Sequence, residues 1–392
     1  MPIFNQNILC IENCDNILED LCQEEVTLEC ILEFIKQIFQ PKNMPKLLTI
    51  LLLIYIIIIS ISIKISYNKR SIHIAINIDK KYFYPCIVFL TSLLDNQNPD
   101  TYYSIHVLTG KDITGENMKN FIYKKIRKLI KNKGKNYSNI KIKFYDLGED
   151  FNCATHGKYI SVADYYRIAL PSLLPIVDKI IYIDTDVINF KDLSEMYSIE
   201  LKDDIFFMGT LDDIGLLSEL KHIKNLTKYM NAGILIMNLR SLRKYGIEEK
   251  IREYVFTHFL NHHDQTAINA VCHDHLGILS IKYATFTYDS FEELVAYNKK
   301  QNKKYRYSKG ELKKAFYEPT LLHFVGWVKP WHKGYKNVNK KYWWYYAKKS
   351  GFYKEILKYY NFKEKYVDKL IKKIPKDGGL LRRNYKKVGL NI

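Results

Sequence analysis

The sequence predicts an α/β domain built on a mixed, mostly parallel sheet with helices on both faces. Three observations carry that expectation. Between residues 71 and 340, short apolar runs alternate with longer amphipathic segments, the pattern of strands joined by crossover helices. No internal repeat or low-complexity tract interrupts that stretch. The 392 residues are 47% hydrophobic and 14% aromatic, which excludes a disordered chain, a collagen-like repeat and a disulfide-stapled mini-protein, and leaves room for one large domain or two ordinary ones.

The elements follow in order. Ile72–Ile78 reads as a short buried strand, and Pro85 opens an apolar helix through Leu94. Ser104–Leu108 is a second strand, Gly115–Asn132 a basic amphipathic helix, and Ile140–Tyr145 an alternating third strand. Ser161–Leu170 is expected to be helical. Lys179–Ile183, Ile205–Gly209 and Ile234–Leu239 are the fourth to sixth strands, with a helix over Ser241–Leu260 behind them and another opening at His263. Sheets of this kind bind ligands beyond the carboxyl ends of their strands, so the chemistry is expected there.

Flanking segments differ in character. The formal net charge is +18, which invites a nucleic-acid reading, but the charge is unevenly placed. Residues 1–46 form an acidic leader with eight acids against three lysines, and Met44 offers an alternative start. Leu47 to Ile63 is seventeen residues without charge, Gly or Pro, about 25 Å as a helix and near the thickness of a bilayer core. Residues 47–66 are therefore expected to anchor the chain. Lys64, Lys69, Arg70, Lys80 and Lys81 follow it, against Lys42 and Lys46 before it, which leans the following domain towards the cytoplasmic side. Residues 345–392 read as a basic, aromatic helical tail: from 341 on, fifteen Lys/Arg and twelve aromatics accompany four acids. Such a mixture stacks single-stranded bases or sits at an anionic membrane surface; beside an anchor, the membrane is the better reading. The seven cysteines lack CxxC pairs with partner histidines, so zinc is not expected and they read as structural or incidental.

Chemistry gathers in a few clusters. Ile180-Ile181-Tyr182-Ile183-Asp184-Thr185-Asp186 drives an apolar strand into the core and delivers two carboxylates at its end. Residues i and i+2 point the same way in extended chain, so Asp184 and Asp186 can share a hard divalent cation such as Mn²⁺ or Mg²⁺. An isolated DxD more often caps a turn. Tyr229-Met230-Asn231-Ala232-Gly233 places an amide just before a strand, where it can reach a sugar. His263-Asp264-Gln265-Thr266 opens a helix. Leu322-His323-Phe324-Val325-Gly326-Trp327-Val328-Lys329-Pro330-Trp331-His332 supplies a histidine that can ligate a metal and a lysine that can meet phosphate. Singly, His323 reads as a strand-end histidine and the tryptophans as core; the set in this order is far more specific.

Taken together, YIDTDV, YMNAGILIMNL, DQTAIN and HFVGWVKPWH resemble glycosyltransferase family 8, including its bacterial lipopolysaccharide galactosyl- and glucosyltransferases. The resemblance spans roughly residues 71–340, in a catalytic domain bounded at 71–344. It implies a GT-A fold, a UDP-sugar donor (UDP-galactose or UDP-glucose), Mn²⁺ with Mg²⁺ as the alternative, and retention of anomeric configuration. Carried over by position, Asp184, Asp186 and His323 match the metal triad. Lys329 and Gly326 match contacts to the donor diphosphate, and Asn77, Asp79 and Tyr82 fall where uracil and ribose are held. Arg167 matches the arginine near the donor sugar. Thr185 and Ala232 lie within the matched donor-binding motifs, Asn231 matches the asparagine of the NAG motif, and Asp213, with Asp212 beside it, matches an acidic donor-sugar contact. Asp264 and Gln265 match the pair beside the reacting sugar. Two departures leave the donor open: Thr266 stands where many relatives have Asp, and Lys80-Lys81 where many have Asn.

The resemblance thus implies a hexosyltransferase acting on a glycan or glycolipid acceptor such as lipopolysaccharide core. Gln265 is a poor nucleophile, which favours front-face substitution; Asp264 as a covalent nucleophile is the rival. A self-glucosylating glycogenin-like enzyme and a lumenal type II transferase, the latter suggested by the sequons at Asn136 and Asn225, are member-level alternatives. A basic nucleic-acid- or membrane-binding protein without catalysis leaves the motifs unexplained. The expected setting is a single-pass membrane protein with its catalytic domain on the cytoplasmic face of a bacterial inner membrane.

Overall fold

The fold comes from a computed structural model that describes residues 71–374 apart from 111–112, 114–115, 134–138, 152–161, 213–218, 220–222, 224–225 and 302, together with 54, 55, 57 and 58. A seven-stranded sheet in the order β3-β2-β1-β4-β7-β6-β8 forms its centre. Its strands are β1 Ile72–Asn77, β2 Tyr103–Thr109, β3 Ile140–Asp146, β4 Lys179–Ile183, β6 Phe207–Gly209, β7 Ile234–Asn238 and β8 Leu276–Ile278. All run parallel except β7, which lies antiparallel between β4 and β6. Every residue of β1 and β7 is buried, as continuous apolar runs require when both faces are covered.

Helix α1 (Phe83–Asp95) crosses from β1 to β2 and α2 (Glu116–Lys133) from β2 to β3. The first begins two residues before Pro85, because a first-turn residue has no intrahelical N–H bond to lose. The expected helix over Ser161–Leu170 is a 3-10 turn, Val162–Ala169, then a short α-turn Leu170–Leu173. Pro171 cannot donate back into the preceding turn, so the winding does not run through. The expected helix over Ser241–Leu260 is two, α3 (Leu239–Lys244) and α4 (Ile247–Thr257), split at Gly246, whose φ of 58° lies in the left-handed region. Helix α5 (His263–Cys272) opens at the expected residue.

A second, three-stranded sheet, β5-β10-β9, comprises Val187–Asn189, Leu321–His323 and Thr285–Phe286. Helices α6 (Phe291–Lys300) and α7 (Lys309–Tyr317) share a small core with Phe286 and Tyr288.

The C-terminal segment corrects an expectation. Helices α8 (Lys340–Lys349), α9 (Tyr353–Tyr359) and α10 (Glu364–Ile371) belong to the same compact unit as the sheet, and the expected boundary at 344/345 falls inside α8. Tyr342, Trp343, Trp344 and Tyr346 are at most 1% exposed. Trp343 packs on Trp331 at 5.1 Å, and Trp344 Nε1 donates to the Pro330 carbonyl. These aromatics meet protein core, not lipid headgroups, while Lys348 and Lys349, which follow them, are exposed.

The expected membrane placement is overturned as well. Almost all of the 47–66 stretch lies outside the described residues, as do residues 1–46. Among the described residues no helix is long and apolar enough to cross a membrane. The longest, α2, has eighteen residues but carries Lys124, Lys125, Arg127 and Lys128, charges that a span excludes. A single-pass protein displaying its domain on an inner membrane is therefore not supported. Asn136 and Asn225 also lie outside the described residues.

Candidate active site

Strand direction explains how distant motifs converge. Strand β4 runs outward and releases Asp184, Thr185 and Asp186 beyond its carboxyl end. Strand β7 is antiparallel and starts at that same edge, so Asn231-Ala232-Gly233 arrive there as the residues entering it; Asp184 N donates to the Gly233 carbonyl at 2.7 Å. Strand β5 leaves directly after Asp186 and pairs antiparallel with β10, placing His323 opposite Val187. That single register brings a histidine 137 positions downstream beside the aspartate pair.

The three groups form one cluster. Ligand atoms of Asp184, Asp186 and His323 all lie within 4.8 Å of one another. His323 Nε2 is 3.2 Å from Asp186 Oδ1 and 3.9 Å from Asp184 Oδ2. Asp186 Oδ1 is buried without a well-aligned hydrogen bond, an acceptor a cation would satisfy. Two carboxylates and an imidazole fit Mn²⁺ or Mg²⁺. Lys329 Nζ contacts Asp186 Oδ2 at 2.5 Å and donates to the Phe324 carbonyl at 2.8 Å. Burial would raise the Asp186 carboxyl, yet Lys329 and His323 hold it below the usual carboxylate range. Gly233 is packed against this cluster: a Cβ there would stand 2.3 Å from His323 Cε1 and 2.7 Å from Asp184 Oδ2.

A second cluster adjoins the first. Arg167, 3% exposed, contacts Asp184 Oδ1 at 3.1 Å and Asp264 Oδ2 at 2.9 Å, donates to the Ala232 carbonyl, and lies 4.0 Å over the Tyr182 ring. Burial would lower its guanidinium, but Asp184 and Asp264 hold it above its ordinary value. One cation faces three carboxyls, since Asp164 is also near. Burial and then Asp264 push Asp164 well up. Burial likewise takes Asp264 to about 7, against the pull of Arg167 and with Asp184 adding to the rise. Gln265 Oε1 accepts from Asn231 Nδ2 (3.1 Å) and Ala232 N (3.0 Å), while its Nε2 donates to Asp212 Oδ2 at 3.2 Å. The amide is thereby fixed in one orientation.

Most residues singled out in the sequence meet here, though not all in the expected manner. Asn77 uses its amide on the framework, donating to the Ala163 carbonyl at 2.7 Å and accepting from Tyr182 Oη at 2.5 Å. Asp79 accepts from Tyr82 N at 2.7 Å, fixing the loop after β1. Burial, then the Asp186 charge, hold the Tyr82 hydroxyl protonated far above its ordinary range. Thr185 is buried, Gly326 lies exposed at φ 90°, and Asp213 lies outside the described residues. Two residues were missed. Tyr182 also donates to Asp184 Oδ1 at 2.9 Å; its i−2 spacing from Asp184 puts both on one face of β4 and was the available signal. Asn269, one turn after Gln265, bonds both the N–H and the carbonyl of Met230, and so holds the loop that presents Asn231.

Comparisons with known proteins point to one family. The model of the family described as Glycosyl transferase family 8 matches residues 73–334. The chain is 26% identical over 275 residues to general stress protein A of Bacillus subtilis (strain 168), covering 68% of this chain and 89% of that one. It is 23% identical over 330 residues to a lipopolysaccharide 1,2-glucosyltransferase of Escherichia coli, covering 79% and 89%. Among solved structures, the galactosyltransferase LgtC in complex with donor and acceptor sugar analogs superposes with a TM-score of 0.57 at 20% identity, over 71% of this chain and 96% of that one. That likeness identifies the fold as GT-A-like.

Proposed function

The chain belongs to glycosyl transferase family 8 and is a glycosyltransferase, and from that premise we propose that it transfers galactose or glucose from UDP to a glycan or glycolipid acceptor, such as a lipopolysaccharide core, with retention at the anomeric carbon. The observation that carries this reading is the convergence of Asp184, Asp186 and His323 beside Lys329, next to Gln265 and the Arg167–Asp264 pair. Asp184, Asp186 and His323 are the proposed ligands of Mn²⁺, with Mg²⁺ as the alternative. When bound, that ion would supply positive charge to the donor diphosphate. Lys329 and the Gly326 backbone meet the same diphosphate. Asn77, Asp79 and Tyr82 border the nucleoside, and Asn231, Asp212, Asp213 and Arg167 the donor sugar.

Transfer breaks the bond between the anomeric carbon and the phosphate oxygen, whose electron pair leaves with UDP. The acceptor hydroxyl forms the new bond on the same face and gives its proton to the departing phosphate. Charge builds on the leaving group and on the anomeric carbon, so preorganised groups that meet it there lower the barrier. Lys329 serves the first. Gln265 faces the second with a carbonyl oxygen already held by Asn231 and Ala232, a dipole that stabilises developing positive charge without becoming a nucleophile. Asp264 is a poor nucleophile here: Arg167 engages it, and burial pushes its carboxyl up to about 7.

The test uses purified protein, radiolabelled UDP-galactose and UDP-glucose, and Mn²⁺. Release of UDP from one of them, abolished by EDTA and restored by Mn²⁺, is expected. Asp186→Ala should lower that rate at least 100-fold, since removing a carboxylate ligand dismantles the site. Activity at the wild-type level in that variant would sink the metal assignment.

A further inference from the structure

Of four tryptophans, Trp331, Trp343 and Trp344 are at most 5% exposed, whereas Trp327 is 75% exposed. Other large apolar side chains are exposed as well, Phe259 also at 75%, so the place of Trp327 in the chain, not its exposure alone, is what carries information. Trp327 sits within the segment that carries two candidate site residues, four positions after His323 and two before Lys329. That segment is clamped on both sides of it. Phe324 N donates to the Asp186 carbonyl at 3.0 Å, Lys329 Nζ reaches Asp186 and the Phe324 carbonyl, and Lys329 N donates to His332 Nδ1 at 3.1 Å. Between those clamps, Gly326 takes φ 90° with open space where a Cβ would stand. Three successive residues, Gly326, Trp327 and Val328, face solvent between the buried Phe324 and Lys329. Trp331, on the same segment, turns the other way, edge-on to Tyr82 at 5.7 Å and against Trp343.

We propose that Trp327 is a stacking platform for a pyranose ring of the acceptor, an assignment that rests on the transferase reading above. The indole face is electron-rich and matches the positively polarised C–H groups on one face of a pyranose, while the sugar hydroxyls at the ring edge stay in water. Position supports the same occupant. Four residues of chain span at most about 14 Å, so the Trp327 backbone stands within that distance of the His323 backbone, on a loop whose two ends are fixed at Asp186. An acceptor laid on Trp327 is thereby presented to the reacting centre by a clamped loop. Val328, 48% exposed, widens the apolar surface.

Fluorescence isolates this one side chain. Acrylamide quenching should resolve a single accessible tryptophan component, and W327F should lose it. With UDP and Mn²⁺ present, the protein is titrated with methyl β-galactoside, methyl β-glucoside, lactose and maltose. At least one should shield the accessible component, with quenching falling about twofold when the sugar reaches its dissociation constant. No shielding by any of the four overturns the proposal. Shielding by UDP and Mn²⁺ alone, with no further change on adding sugar, also overturns it, because Trp327 then covers the donor. In transfer to the shielding sugar, W327A should raise the acceptor KM about five- to tenfold and change kcat much less, and W327F should restore most of the loss; an unchanged KM refutes the stacking role. Wild-type hydrolysis of UDP-sugar in the same preparation separates the two readings. Hydrolysis without shielding removes the platform alone, whereas absence of both hydrolysis and transfer removes the transferase reading beneath it.

Discussion

Replacing Gly233 by alanine perturbs the candidate metal cluster with a single methyl group. The backbone tolerates the change, since Gly233 is not among the positive-φ glycines, so the effect is purely steric. Its Cβ would meet His323 Cε1 at 2.3 Å and Asp184 Oδ2 at 2.7 Å. Ordinary van der Waals contact begins near 3.4 Å, so the imidazole must retreat by about 1 Å. Ligand distances in metal sites tolerate about 0.2 Å, and the shift exceeds that several-fold. Relief is blocked on two sides: Asp184 N is bonded to the Gly233 carbonyl, and His323 is held by the β5–β10 register. Overpacking of this kind costs about 1–3 kcal/mol of stability, and displaced ligands lower metal affinity about 10- to 100-fold. Calorimetric titration of Gly233→Ala with Mn²⁺, beside circular dichroism to confirm the fold, measures both. A folded variant that binds Mn²⁺ as tightly as the wild type refutes the reasoning, because either the cluster is not the metal site or Gly233 does not limit it.

Three further outcomes are expected. Gln265→Ala should leave UDP affinity within about threefold while slowing transfer by at least tenfold, about 1.4 kcal/mol of barrier; loss of UDP binding measured by calorimetry would place the side chain elsewhere. Asp264 titrates near 7 in the fold against 3.8 as its ordinary value, so between those values the folded chain holds a proton that the unfolded chain has released. Stability from this group is therefore present at low pH and falls as pH rises through 7. Between pH 5 and pH 8 the wild type should lose about 2–3 kcal/mol more than Asp264→Asn in urea denaturation, and parallel profiles would contradict the buried, raised carboxyl. Trp343→Ala removes a side chain with no exposed surface and should cost about 3–5 kcal/mol by the same method; a loss below about 1 kcal/mol would mean that α8 does not belong to the core.

Local pattern carried much of this fold. The strand Lys179–Ile183, the first residue of β3 and the opening of α5 at His263 fall where apolar runs and polar boundaries put them. The aspartate pair was visible because alternation along β4 is a two-residue rule. What local pattern cannot express is pairing between distant segments. The β5 and β10 strands are three residues each, too short to carry a periodic signal, yet their register is what seats His323 at the cluster. Composition misled at the C-terminus for a related reason. Tyr342-Trp343-Trp344-Tyr345-Tyr346 among lysines has the same content whether its rings face lipid or protein; only helical phase decides, and α8 turns Tyr342, Trp343, Trp344 and Tyr346 inward. The order of the motifs was legible, but the bonds that fix each side chain, such as Asn77 to Tyr182, were not.

The three residues entering β7 join the two halves of the site. Asn231 and Ala232 fix the Gln265 carbonyl oxygen, Ala232 receives Arg167 on its own carbonyl, and Gly233 anchors Asp184 while touching His323. One short segment therefore contacts every group assigned to the metal cluster except Asp186, and also the amide assigned to the reacting sugar. An antiparallel strand makes this possible. A parallel strand would start at the opposite edge of the sheet, and only its last residues would reach the site; β7 instead delivers its leading residues, bonded to Thr210 on one side and Asp184 on the other, to the edge where Asp184 emerges. The sugar–phosphate bond must break with charge met at both ends, so the groups at the two ends need a fixed separation. Asn231-Ala232-Gly233, held by Asn269 through Met230, sets that separation through the backbone of Ala232 and Gly233 together with the Asn231 amide.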